Sequence, residues 1–240
     1  MTPPILLPLQ PVPEPALDLV VIPGAGVGPG VFRSWPGLIP AGWRLTGICL
    51  PGRGARYDEP GLPTVPQAAE EVVAGLSAAG IVAPVLFGHS MGALLALEVA
   101  RRTAVPLLVT AACACPQPGK PLIYREIDEQ AVRQEVLEHT ATLGVADDAL
   151  IDELVDFTTP ILLGDFAMMD GYAPDPGPVD CDIVSYYGTA DDIAPVSWAP
   201  RSSGAAHVVE VAGDHYFPQQ DPRPLLADLV PRLVPVLKDG

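Results

Sequence analysis

The chain has 240 residues, of which 49% are hydrophobic and 18% charged, enough apolar material for the core of one enzyme-sized domain without a second. Its formal charge of −16 repels phosphate backbones and anionic lipid headgroups, so neither nucleic acid nor a membrane surface is expected as a partner. Four cysteines, Cys49, Cys113, Cys115 and Cys181, contain no Cys-x-x-Cys pair, which argues against a disulfide framework or a zinc cluster and for a reducing cytoplasm.

The chain opens with "MTPPILLPLQPVPEPALD", which has no basic n-region and is broken by prolines, so it reads as an extended arm and not as a signal peptide. No apolar run reaches the ~18 residues of a membrane helix. Short apolar, β-branched runs follow at 19–22, 45–50, 84–87, 106–112, 182–187 and 207–212, each a predicted buried strand. Helical patterns fall between most of them. Residues 65–80 carry Pro near the start and Gly at the end, as helix boundaries prefer, and residues 221–238 close the chain with a Pro-interrupted helical pattern. Such alternation predicts an α/β fold with a mostly parallel sheet and helices on both faces. One segment breaks the rhythm. Between "PQPGKP" (116–121) and "APDPGP" (173–178) only helical patterns occur, which predicts a single domain over 1–240 with a helical cap inserted at about 119–178.

The stretch "LFGHSMGALLALEVA" (86–100) sets a serine between two glycines at a strand-to-helix junction. A serine in so sharp a turn holds a strained backbone, and the residues two before and two after it must be small because the chain nearly touches itself; Gly88 and Gly92 meet that demand. The turn exposes the Ser90 hydroxyl at the carboxyl end of the sheet and at the amino end of a helix, where unpaired N–H groups favour developing negative charge. Ser90 is therefore the candidate nucleophile.

A nucleophilic serine needs a base and a group that orients the base. Of the four histidines, His89 adjoins Ser90 and is expected to point away, His139 lies in the insert and His207 opens a strand. His215, in "VAGDHYF" just beyond the last strand, occupies the loop that a triad at the carboxyl edge demands. Asp191 follows the penultimate strand at Gly-x-x-Asp and is the candidate acid, with its neighbour Asp192 as the alternative. The order Ser, Asp, His is that of the α/β-hydrolase fold. An oxyanion hole then takes one backbone N–H from Met91 and one from "VIPGAGVGPG" (21–30), where Ala25 is the first choice and Gly24 or Gly26 the alternatives. The glycines at 24, 26, 28 and 30 do not form a dinucleotide fingerprint, because Pro29, Val31 and Arg33 occupy the third glycine's place in each register.

"PGAG" (23–26), "LPGRGAR" (50–56), "GHSMGA" (88–93), "YGTADD" (187–192) and "GDHYF" (213–217) together resemble the motif set of type II thioesterases of polyketide and nonribosomal peptide assembly lines. The likeness spans most of the chain, and the helical insert sits where that family carries its lid. One departure is Gly24, where the family commonly has histidine; another is Asp214, where glycine is common. The resemblance implies a substrate acyl or aminoacyl group held as a thioester on the phosphopantetheine arm of an acyl carrier or peptidyl carrier protein, with no cofactor of the enzyme's own. It also gives two arginines a possible task. Arg53 and Arg56 either decorate a Pro-Gly turn as solvated charges or receive an anion, the pantetheine phosphate or acidic carrier side chains. In the insert, Phe166, Met168 and Met169 either line an acyl pocket or pack into the core. Two further readings stay open: a carboxylesterase or lipase of the same fold acting on free esters, and a hydrolase-fold protein retained as a binder.

Overall fold

The computed structural model describes residues 5–124, 127–142 and 147–236; the remaining parts of the expected arm, insert and closing helix lie outside the described residues. Strands form at Leu6–Gln10 (β1), Leu17–Ile22 (β2), Trp43–Ile48 (β3), Val85–His89 (β4), Leu107–Ala111 (β5), Asp182–Gly188 (β6) and Ala206–Val211 (β7). They make one seven-stranded sheet in the order β1-β3-β2-β4-β5-β6-β7, with every neighbouring pair parallel except β1 with β3. Together with its helices this is the expected α/β-hydrolase architecture.

The central strands read as continuous apolar runs because both of their faces are covered. Val20, Ile22, Leu86 and Leu108 point to one side, where they pack with helices α1 (Val65–Ala78) and α2 (Met91–Ala100). Their alternates Leu19, Val21, Phe87 and Val109 point to the other, against Trp35 and the closing helix. In chain order α3 (Glu129–Thr142) and α4 (Asp148–Met169) follow β5, and α5 (Phe217–Gln220) and α6 (Arg223–Val236) follow β7. Local chemistry marks the ends of these helices. The Thr64 hydroxyl accepts from the Gln67 N–H at the start of α1, and the Asp147 carboxylate accepts from Ala149 and Leu150 at the start of α4.

The arm before β2 departs from expectation: it is extended, but residues 6–10 pair antiparallel with β3, Leu6 opposite Ile48 and Leu7 opposite Gly47. An edge strand has one partner only and can carry Pro8, and its half-exposed residues show no alternation to read.

The insert between β5 and β6 is helical, as expected, and its two arms are tied to each other. Leu122 and Gly171 donate to the carbonyls of Tyr172 and Leu122, each at 2.9 Å. Buried Arg201 donates to the Pro116 carbonyl on one arm and the Asp175 carbonyl on the other. The two arms of the insert are thereby anchored, and its helices lie over the carboxyl edge of the sheet, where β2, β4, β6 and β7 all deliver their loops. Among the described residues no helix is long and apolar enough to cross a membrane.

Candidate active site

β4 ends at His89 and α2 begins at Met91, so the whole change of direction falls on Ser90, with φ 53° and ψ −119°. That conformation is costly for a residue with a side chain and persists only where the surroundings over-determine it. They do so here. A Cβ on Gly88 would lie 2.2 Å from the Gly92 carbonyl oxygen, and one on Gly92 would lie 2.3 Å from the carbonyl oxygen of Ile22. The Ser90 N–H donates to the Ala111 carbonyl at 2.8 Å, which fastens the turn to β5.

His215 stands in the loop after β7 and Asp191 in the loop after β6. Gly188 lies against the second loop so closely that a Cβ there would sit 2.5 Å from the Gly213 oxygen. The Ala190 N–H donates to the same oxygen at 2.8 Å. This contact brings the two side chains together: His215 Nδ1 lies 3.2 and 3.3 Å from the two carboxylate oxygens of Asp191. The Asp191 side chain is only 3% exposed and the imidazole 28%. Asp192, the alternative acid, is exposed. With Nδ1 turned to the carboxylate, Nε2 is the ring nitrogen left for proton transfer.

Ser90 and His215 line the same cavity, of about 260 Å³. Gly24, Ala25, Gly26 and Val27 of the loop after β2 form one wall. The Gly26 N–H is already engaged, donating to the Asp165 carboxylate at 2.8 Å, which removes Gly26 from the alternatives for the oxyanion donor. The insert closes the cavity with Val136 and Thr140 of α3 and Leu154, Thr158, Leu162 and Phe166 of α4. Most of this lining is apolar, so the cavity suits an acyl chain better than a sugar or a charged headgroup.

His89 was expected to point away from the site and does not. Its ring lines the cavity, 5.1 Å from the His215 ring. Its Nε2 lies 2.8 Å from the His215 carbonyl oxygen, an acceptor, so Nε2 carries the hydrogen; Nδ1 then accepts from the Gln219 amide at 3.3 Å. The period-2 rule that sends neighbouring strand residues to opposite faces fails at the elbow, because the positive φ of Ser90 turns the chain between the two side chains.

Other expectations need correction. Arg53 and Arg56 are neither solvated nor open to an anion: they are 5% and 3% exposed. Arg53 makes a two-pronged pair with Asp165 of α4, at 2.7 and 2.6 Å, and Arg56 pairs with Glu59 and Glu71 at 2.6 and 2.5 Å. A guanidinium buried this way has its charge and donors already matched. Met168 and Met169 are buried in the core with α1 and α2 and do not line the cavity, since the turn of α4 that carries them faces the sheet. Phe166 does line it, stacked on Tyr124 with ring centroids 5.2 Å apart. Two thiols lie just beyond β3 and β5, and burial disfavours the thiolate of each: it pushes the Cys113 thiol up to about 12 and raises that of Cys49 in spite of nearby Arg53. Among the described residues no group of three or more His, Cys, Asp or Glu side chains is placed to hold a metal ion.

Comparison with known proteins places the chain in a family. Residues 18–233 match the model of the thioesterase domain family. The chain is 31% identical over 194 residues to thioesterase TesA of Mycobacterium marinum, covering 76% of this chain and 77% of that protein. It is 30% identical to the solved structure of RedJ, a thioesterase from the prodiginine biosynthetic pathway of Streptomyces coelicolor, with a TM-score of 0.75 over 91% of this chain and 86% of that one. The fold is shared with the type II thioesterase BorB from the borrelidin biosynthetic cluster, 24% identical, with a TM-score of 0.79 over 95% and 97% of the two chains. With the family model matched over most of its length, the chain belongs to the thioesterase domain family.

Proposed function

We propose that this chain is a type II thioesterase that hydrolyses acyl thioesters from the phosphopantetheine arm of acyl carrier or peptidyl carrier proteins, clearing stalled or aberrant acyl groups. It does so as a single α/β-hydrolase domain with a helical lid, in the cytoplasm and without a cofactor of its own; four unpaired cysteines support the reducing compartment. In the first half-reaction His215 Nε2 takes the proton of Ser90 as its Oγ bonds to the thioester carbonyl carbon. Met91 and Ala25 N–H groups hold the oxyanion that forms. Collapse of that intermediate breaks the C–S bond, and the imidazolium returns the proton to the pantetheine sulfur, which leaves an acyl-serine and a free thiol. In the second half-reaction the same imidazole removes a proton from water, the hydroxyl adds to the acyl carbon, and Ser90 leaves reprotonated. Asp191 keeps Nδ1 protonated and stabilises the imidazolium at both stages.

The observation that carries this reading is that the elbow serine and the Asp191-held imidazole line one apolar cavity roofed by the insert. The test compares turnover of an acyl-carrier protein thioester, the same acyl group on free pantetheine and a p-nitrophenyl ester. We expect the carrier-bound thioester to give the highest kcat/KM, and Ser90→Ala to abolish all three together with labelling by a fluorophosphonate. Hydrolysis confined to free esters would transfer the protein to the carboxylesterases; wild-type protein inert to fluorophosphonate would make it a binder.

A further inference from the structure

Buried Arg53 and its partner Asp165 connect the insert with the loop after β2, which carries the proposed oxyanion donor Ala25. Asp165 and Arg53 are 4% and 5% exposed, and they lie 112 residues apart in the chain. The Asp165 carboxylate accepts three N–H groups, two from Arg53 and one from the Gly26 backbone at 2.8 Å. Arg53 in turn donates to the Val27 carbonyl at 3.3 Å and, through Nε, to the Pro51 carbonyl at 3.3 Å. So one side chain of the lid helix α4 and one of the loop after β3 hold both sides of Gly26, whose φ of 78° fixes the bend beside Ala25. The roof lies directly on this bend: a Cβ at Gly26 would sit 3.3 Å from Leu162, one turn before Asp165 on α4. Leu162 and Phe166 of the same helix line the cavity.

We propose that Asp165 and Arg53 are positioning residues forming a latch, through which closure of the insert over an acyl chain sets the oxyanion loop in its working geometry. The proposal rests on the reading of Ser90 chemistry given above. Lifting α4 carries the carboxylate away from a buried guanidinium and from the Gly26 N–H, so an open lid and an ordered oxyanion loop exclude each other. A pre-aligned donor acts on the transition state and not on substrate binding, so the latch belongs to kcat.

Removing either partner alone strands a buried charge and lowers stability whatever the latch does, so the deciding variant replaces both with apolar groups of similar size, Arg53→Met with Asp165→Leu. We expect this double variant to melt as a folded protein, with kcat on an acyl-pantetheine thioester reduced at least tenfold, KM within about threefold of wild type, and affinity for an alkyl boronic acid, whose serine adduct carries the tetrahedral oxygen, reduced in step with kcat; loss of one whole oxyanion donor costs ~100- to 1,000-fold. Amide exchange over residues 24–27 should quicken by at least tenfold. A folded double variant with wild-type kcat and boronic acid affinity overturns the latch, as does a loss of kcat that leaves boronic acid affinity untouched. If the double variant does not fold, Asp165→Asn decides: it keeps the volume but cannot serve Gly26 and both Arg53 donors as an anion, and unchanged kcat and adduct affinity there overturn the proposal equally. Wild-type protein without hydrolytic activity would instead sink the thioesterase reading, and the latch is then judged on amide exchange alone.

Discussion

Two glycines of the site differ in what presses on them, and the difference separates folding from catalysis. The space beside Gly88 is filled by the Gly92 carbonyl carbon and oxygen and by Ala93 Cα, all backbone atoms of the first turn of α2. Gly88→Ala therefore has to push the strand and the helix apart. We expect it to cost ~1–3 kcal/mol of stability, as overpacking does, and to slow fluorophosphonate labelling of Ser90 at least tenfold. Gly24 meets side chains instead: a Cβ there would lie 3.0 Å from His89 Nδ1 and 3.4 Å from Ser90 Cβ. His89 is not free to swing aside, because its Nε2–H is donated to the His215 carbonyl. Gly24→Ala should thus leave the urea midpoint almost unchanged while lowering kcat, since a displacement of His89 reaches the backbone of His215, the proposed base, through that bond. Equal loss of stability in the two variants would show that the pressure on Gly24 is structural as well.

At the scale of elements, what could be read from sequence follows how far away the determining contacts lie. The elbow is a local device, set by Gly88, Ser90 and Gly92 within five residues, and the strands β2 to β6 announce themselves because burial on both faces makes them mostly apolar. His215 and Asp191 were legible from their places after the last two strands, since loops at the carboxyl edge of neighbouring parallel strands must meet. The pairing of Arg53 was not: its partner is 112 residues away on a helix whose docking no local pattern encodes. Nor was the position of His89, hidden by the break in alternation at Ser90. β1 was the element missed, and it is held from outside its own sequence: Ile5, 7% exposed, packs on α1 at Gly75, where a Cβ would lie 2.4 Å from Ile5 Cγ2. Ile5→Ala should cost ~2 kcal/mol or more in a urea titration, the ordinary cost of emptying a buried isoleucine site. A chain beginning at residue 12 should lose the same contact and also self-associate, detectable by light scattering, because β3 would present an unpaired edge. A monodisperse truncated chain with an unshifted midpoint would reduce β1 to an ornament of the sheet.

For the molecule as a whole, electrostatics makes the carrier partnership testable without knowing the carrier. The chain carries 29 acidic against 13 basic side chains other than histidine, a net charge of −16. Carrier proteins are acidic as well, and an acidic enzyme recognising one needs a local basic patch. Arg53 and Arg56 cannot supply it, because both guanidiniums are buried and paired, the first with Asp165 and the second with Glu59 and Glu71. The encounter is then between two bodies of like sign, and repulsion slows it most where screening is weakest. Raising the salt from ~10 mM to ~150 mM shortens the screening length from about 30 Å to about 8 Å. Over that range kcat/KM for an acyl-carrier thioester should rise, while that for the same acyl group on uncharged pantetheine stays flat, because the small neutral thioester feels no net repulsion. The ratio of the two substrates isolates docking from chemistry, as both share the Ser90 step. A ratio that falls with salt would mean that attraction governs the encounter, and a basic surface other than these two arginines would have to be found by charge reversal at the exposed lysine and arginine positions.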